Sequence, residues 1–161
     1  MRKNILILVT VCVMSLLVYL AQTSNSVSPK IPTLVFNGHT LTLELADLPE
    51  IQTRGLGGHA PLSNAEGMLF RFGERATRTF WMKDMAFPID IVWLWDCNGE
   101  RAMVVGIENS VDPQIGSTEY ELKLYTSPEP VSCVLETRAG LMKQWGVVAG
   151  SMLETKNLTT K

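Results

Sequence analysis

Two Asn-Gly pairs, Asn37-Gly38 and Asn98-Gly99, each lie between apolar runs, and no other feature constrains this chain as tightly. The tightest hairpin turns need positive φ at both central positions, which Asn and Gly tolerate. Such a pair between alternating apolar residues therefore predicts two adjacent antiparallel strands. The first pair joins Thr33–Phe36 to Thr40–Leu45, where Leu41, Leu43 and Leu45 share one face and Thr40, Thr42 and Glu44 the other. The second joins Ile89–Trp95 to Ala102–Ile107. Further strands are expected over Met68–Phe72, Thr79–Met82, Glu121–Thr126, Val131–Glu136 and Ser151–Glu154. Helix is confined to Leu48–Gly55 and Ala139–Trp145, the first ending in a Gly and the second followed by one. Many short strands separated by turn signals predict a mainly β domain, a single sandwich or jelly-roll-like unit or a partly closed barrel, with one or two short helices.

The N-terminus has a different character. Arg2 and Lys3 precede an uncharged run from Ile5 to Ala21. At about 1.5 Å per residue this run reaches roughly 25 Å, close to the ~30 Å of a bilayer core. The two basic residues place the N-terminus in the cytoplasm and send the rest of the chain across the membrane. Residues 1–21 are thus expected to be a single-pass transmembrane anchor; the alternative is a cleaved signal helix, and no clear small-residue cleavage site follows Leu20. Either way the folded part lies outside the cytoplasm, in the cell membrane or secreted to the periplasm or exterior. Residues 22–30 are polar and Ser-rich, a flexible tether, and residues 31–161 form the exported domain. With 14 basic and 16 acidic residues the net charge is −2, and no basic stripe tracks a phosphate backbone, so nucleic acid is not an expected partner.

Cys97 and Cys133 both lie in the exported part, where thiols can oxidise. They are either a disulfide, closing a loop of ~37 residues worth roughly 4 kcal/mol, or two isolated buried thiols.

Several segments follow one another in a characteristic order: Ala46-Asp47-Leu48-Pro49-Glu50, Arg54-Gly55-Leu56, Gly67-Met68-Leu69-Phe70, Phe80-Trp81-Met82-Lys83-Asp84, Pro88-Ile89-Asp90-Ile91, Tyr125-Thr126-Ser127-Pro128 and Val134-Leu135-Glu136 with Ala139-Gly140. From about residue 41 to 153 the chain resembles the bacterial and archaeal family named domain of unknown function 192. The resemblance implies a compact mainly-β fold, often with an export signal, and it brings no established catalytic or ligand residues. The chain departs from the family pattern where Gly57-Gly58-His59 follows Arg54-Gly55-Leu56, at Asp84-Met85, and in a long polar loop from Glu108 to Glu121.

Among individual residues, Asp90 stands out. Alternation places it with Val92 and Leu94, and a carboxyl on a core face must be paired, with Lys83, Arg54 or Arg78 as the cations at hand. It is either a structural link or an acid/base group. A glycoside-cleaving pair would need Glu66 or Glu136 beside it at a defined separation; Glu136 reads equally as a strand-end partner of Arg138 or of a backbone amide. In Phe80-Trp81-Met82-Lys83, Phe80 and Met82 enter the core while Trp81 and Lys83 point outward together, an aromatic plate beside a cation. Met68, Met82, Met85 and His59 include soft-metal ligand types, but their spacing matches no ligand pattern, so no metal and no cofactor is expected. Gly55, Gly57 and Gly58 form a close-approach loop that lacks the following helix of a phosphate site.

These residues favour a non-enzymatic binding module of the cell envelope for a carbohydrate or another small envelope ligand. Its expected contacts are Arg54, His59, Trp81, Lys83, Asp84 and Asp90. The alternatives are a hydrolase of envelope material that uses Asp90 with a second carboxyl, and a structural partner of another envelope protein.

Overall fold

In the computed structural model, the described residues are Met14, 30–114, Thr118 and 121–158. The expected anchor, residues 1–21, and tether, residues 22–30, lie outside them apart from Met14 and Lys30. No helix among the described residues is long and apolar enough to cross a membrane. Contacts divide the chain after Lys30, and Ile31–Lys161 forms one unit.

Among the described residues, nine strands and two short helices follow in the order β1 (Thr33–Phe36), β2 (His39–Ala46), α1 (Pro49–Arg54), β3 (Glu66–Ala76), β4 (Thr79–Phe80), β5 (Ile89–Leu94), β6 (Arg101–Val111), β7 (Tyr125–Thr126), β8 (Val131–Arg138), α2 (Leu141–Trp145) and β9 (Met152–Lys156). The Asn37-Gly38 turn forms as expected, with φ of 48° and 81°, and β1 pairs β2 antiparallel. The second hairpin also forms, between β5 and β6, but through a longer connection. There the Asp96 carboxyl accepts a hydrogen bond from the Asn98 amide at 2.9 Å, and Cys97 is bonded to Cys133 of β8. The disulfide resolves the open alternative for these two cysteines; their Cα atoms are 6.1 Å apart.

The strands do not form a two-layer sandwich or jelly roll. Seven of them close into a barrel in the order β1-β2-β3-β8-β5-β6-β9, with β9 returning to β1. Closure is made by β9, which pairs antiparallel with both β6 and β1, and one pair in the ring is parallel. β2 and β3 run parallel, which requires a crossover, and α1 with the Gly55–Ala65 connection supplies it. The remaining barrel pairs are antiparallel. The expected strand Glu121–Thr126 shortens to β7, which pairs with β4 in a separate two-stranded ribbon. The expected long loop after Glu108 begins later, because β6 continues to Val111.

All seven barrel strands contribute to one apolar cluster, which is the barrel interior: Leu34, Leu41, Leu69, Val92, Val104, Leu135 and Leu153 are among its members. A second cluster lies on the outer face of β3, β8 and β5 and includes Met68, Phe70, Ile91, Trp93 and Val134. Met82, Met85, Phe87 and Tyr125 join this cluster from the β4–β7 side. Strands β5 and β8 are consequently buried on both faces. Each large apolar side chain so covered contributes about 1.5–3 kcal/mol of transfer free energy. Gly106 makes the covering layer possible: it faces Trp93, and a Cβ there would come within 2.9 Å of Pro128 and 3.2 Å of the Trp93 ring.

Asp90 lies on the interior face, fully buried, and its partners are not the expected cations. Its Oδ1 accepts hydrogen bonds from the backbone amides of Ser110 and Gly140, each at 2.8 Å, and Oδ2 accepts one from Met142 at 3.0 Å. A bulge in β6 and the positive φ of Ser110, 51°, turn the first amide toward it. The carboxyl thus ties β5 to the bulge and to the start of α2, whose Leu141, Met142 and Trp145 pack into the interior cluster. Backbone amides suffice where cations were expected because this turn leaves several N–H groups without partners of their own. Asp90→Ala should therefore lower the unfolding free energy by about 3 kcal/mol or more, since each abandoned amide costs roughly 1–3 kcal/mol. Asp90→Asn, which keeps the Oδ1 acceptor, should lose less. Urea unfolding of the two variants checks this, and an Asp90→Ala protein as stable as wild type would contradict it.

Candidate functional site

Antiparallel register fixes where the carboxyls go. Asp90 pairs with Thr137 and Ile91 with Glu136, so Asp90 and Glu136 occupy opposite faces of the sheet. They do not converge as an acid/base pair. Glu66 is exposed at the start of β3, where its carboxyl accepts the Ser63 amide at 2.9 Å, and this bond lowers its pKa.

Glu136 is the unusual group. Leu135 points into the barrel, and Glu136 points out beneath the covering layer, only 4% exposed. Its Oε2 has no hydrogen-bond partner among the described residues, so neither Arg138 nor an amide there makes the expected pairing with that oxygen. Arg138 instead donates to the Ala139 carbonyl at 3.1 Å and to Gln144 at 3.2 Å. Burial pushes the Glu136 pKa up to about 8, which leaves the side chain mainly protonated at neutral pH.

A cavity of about 560 Å³ opens over this carboxyl. Phe70 and Phe80 meet edge to face at 4.8 Å on one side, and Phe80 leans at 5.7 Å on Trp93 behind it. Phe72, Trp81 and Met85 extend the apolar wall. Three cationic residues, Arg54, Arg78 and Lys83, complete the lining. Arg78 sits over the Phe72 ring at 4.0 Å and donates to the Glu74 carbonyl at 2.7 Å; Lys83 lies 5.5 Å from the centre of the Trp81 ring. Helix α1 is fixed over the site by Gln52, whose amide donates to the Ala46 and Arg71 carbonyls at 2.9 Å. Gly55 ends that helix at φ 52°, where a Cβ would stand 3.4 Å from Phe70 and 3.9 Å from Glu136 Oε2. That backbone conformation, φ 52° with ψ −138°, explains the Gly of the Arg54-Gly55-Leu56 motif, since the contacts themselves are of ordinary length.

Of the expected contact residues, Arg54, Trp81 and Lys83 line this cavity. Trp81 is 37% exposed, whereas Met82 is buried and Phe80 half-buried, so the alternation read from the sequence holds. His59 turns elsewhere, with Nε2 3.5 Å from Glu44 Oε2. Asp84 occupies a left-handed turn at φ 57° and accepts the Gly58 amide at its carbonyl, away from the cavity lining. Met68, Met82 and Met85 belong to the outer apolar cluster. Sequence reasoning did not find Phe70, Phe72, Phe80 and Arg78 as lining residues. One signal was available: Glu136 directly follows the mainly apolar run Val131–Leu135 on the same strand, and burial of that strand on both faces leaves a carboxyl little room for a partner.

The motif segments around Arg54, Phe70, Phe80 and Glu136 therefore converge on one cavity. Residues 33–155 match the profile of domain of unknown function 192, described as an uncharacterized family. The chain belongs to the DUF192 family. Two solved structures are similar. One is a protein from Sinorhizobium meliloti 1021 provisionally named a transcription regulator, 31% identical, with 77% of this chain and 91% of that one covered and a TM-score of 0.64. The other is a protein of unknown function from Novosphingobium aromaticivorans DSM 12444, 26% identical, covering 78% and 83% with a TM-score of 0.62. No curated protein matches.

The raised pKa of Glu136 has a consequence for stability. The native state keeps a proton that the unfolded chain, with the ordinary carboxyl value of 4.5, releases. This contribution is fully present below about pH 4.5 and is lost as pH rises through about 8, by up to about 1.4 kcal/mol per unit. Glu136→Gln should flatten this fall and leave the variant more stable than wild type near pH 8. Denaturant midpoints across that range test it; parallel curves for wild type and variant would contradict it.

Proposed function

We propose that this DUF192 domain is a non-enzymatic binding module for a small envelope ligand, held outside the cytoplasm by its N-terminal segment, and that the Glu136 cavity is its binding site. The observation that carries the reading is the Glu136 carboxyl, buried, without a hydrogen-bond partner at Oε2 and set in an aromatic-walled cavity. A polar group left in that condition costs folding free energy, which a ligand group can offset by bonding to it. The cavity volume falls in the range of small-molecule sites. The half-exposed Trp81 ring beside Lys83 suits stacking against a flat ligand face, the carbohydrate mode of contact. The Cys97–Cys133 disulfide supports an oxidising compartment.

The hydrolase reading has less support, because Asp90 is consumed by three backbone amides and faces away from Glu136. The envelope-scaffold reading would use the exposed Met103 and Met152, which pair across β6 and β9. The net charge of −2 and a cation cluster that surrounds a cavity rather than a groove argue against nucleic acid.

A thermal-shift screen of the intact chain against envelope sugars, peptidoglycan fragments and amino acids tests the reading. A ligand at about 100 times its dissociation constant should add about 2.7 kcal/mol. Trp81→Ala should remove the shift. A ligand whose shift survives Trp81→Ala and Glu136→Gln alike would bind elsewhere and contradict the assignment of the site.

A further inference from the structure

The cavity offers different groups at its two levels. Its buried level holds one acid, Glu136, against Phe70 and the short α1–Gly55 turn. Its accessible level holds Arg54 and Lys83, both exposed, with the half-buried Arg78 beside them. A plain anion pairs with the cations but leaves the Glu136 Oε2 without a partner, and a plain cation that pairs with Glu136 meets the three cations. We infer that the ligand of this site is a small dipolar molecule whose ammonium group docks on Glu136 between the aromatic rings and whose carboxylate is held by Arg54, Arg78 and Lys83. The inference rests on the assignment of the Glu136 cavity as the binding site and names the class of ligand it takes.

Three features fit an ammonium in the buried level. Oε2 is an acceptor without a hydrogen-bond partner among the described residues. The Phe70 and Phe80 rings beside it offer negative π-faces to a cation. No cation among the described residues bonds to Oε2, although three line the same cavity. Across the sheet, the neighbours on the Glu136 face are Met68 and Ile91, neither of which titrates. Among the described residues, the charged groups that line the cavity with Glu136 are Arg54 on α1, Arg78 between β3 and β4, and Lys83 after β4, with Glu66 farther along the same face of β3. Guanidinium groups are suited to hold a carboxylate through paired N–H donors.

Binding then involves a proton. The free protein holds Glu136 protonated below about pH 8, and an incoming ammonium pairs with the carboxylate, so the displaced proton passes to solvent. Affinity for a dipolar ligand must rise with pH, by up to about tenfold per unit below about pH 8. A neutral sugar whose hydroxyl bonds to the protonated acid would instead bind with constant affinity below about pH 8 and lose affinity above it.

Calorimetric titration of the intact chain with a series of ω-amino acids of graded length, and with the matching alkylamines, alkanoates and neutral sugars, tests this. One length of amino acid should bind, and its matched amine and alkanoate should each be about tenfold weaker or worse. Its affinity should rise with pH up to about 8, with proton release visible as a dependence of heat on the buffer. Glu136→Gln, which removes a buried ionisable group without changing shape, should weaken binding about tenfold and abolish the pH dependence; Arg54→Met, at an exposed position, should reduce the advantage over the matched amine. Sugar binding that depends on Trp81 while every amino acid fails would overturn the dipolar ligand and leave the site standing. Failure of all four classes would overturn both, as would amino-acid binding unchanged by Glu136→Gln.

Discussion

Burial of β5 and β8 on both faces is the constraint on which the rest of the molecule depends. A seven-stranded barrel can satisfy its inner face with Leu, Val and Ala from every strand, and it does. The outer face of most strands then needs only polar residues. The wall formed by β3, β8 and β5 instead presents Met68, Phe70, Ile91, Trp93 and Val134 outward. That surface demands a cover, and the β4–β7 ribbon with the Met82–Phe87 connection provides one. The cover and helix α1 leave a gap over Glu136, and the gap is the cavity.

The same arrangement gives the two central acids opposite fates. Alternation across one antiparallel pair sends Asp90 inward and Glu136 outward. Asp90 meets three amides that the bulge and the α2 turn offer, and it becomes a structural tie. Glu136 meets rings and a gap, and it is pushed toward its neutral form. Neither outcome depends on the chemistry of the carboxyl itself; both follow from which backbone and side-chain groups the register brings near.

Much of this was legible in the sequence. Asn37-Gly38 predicted its turn, the strand list was close, and the alternation through Phe80-Trp81-Met82-Lys83 placed Trp81 and Lys83 together at the site. A barrel was one of the expected alternatives, but its full closure and its parallel β2–β3 pair were not legible, because they depend on which strands β9 and β2 meet and local periodicity does not name a strand's partner. Cation partners for Asp90 were expected from charge alone, whereas the amides of Ser110, Gly140 and Met142 carry no mark in the sequence. His59 and Asp84 stood near the right segment, but the tight turn at Gly57-Gly58 directs them away from the cavity.

The central claim is that Glu136 is a buried acid kept protonated by its surroundings and available to a ligand. The most direct measurement is a carbon-detected NMR titration of the Glu136 carboxyl, assigned with Glu136→Gln. The account predicts a midpoint near 8 in the free protein, moved downward when a dipolar ligand occupies the cavity. A midpoint near the ordinary 4.5 would mean that solvent or a partner already satisfies the carboxyl, and would contradict the account.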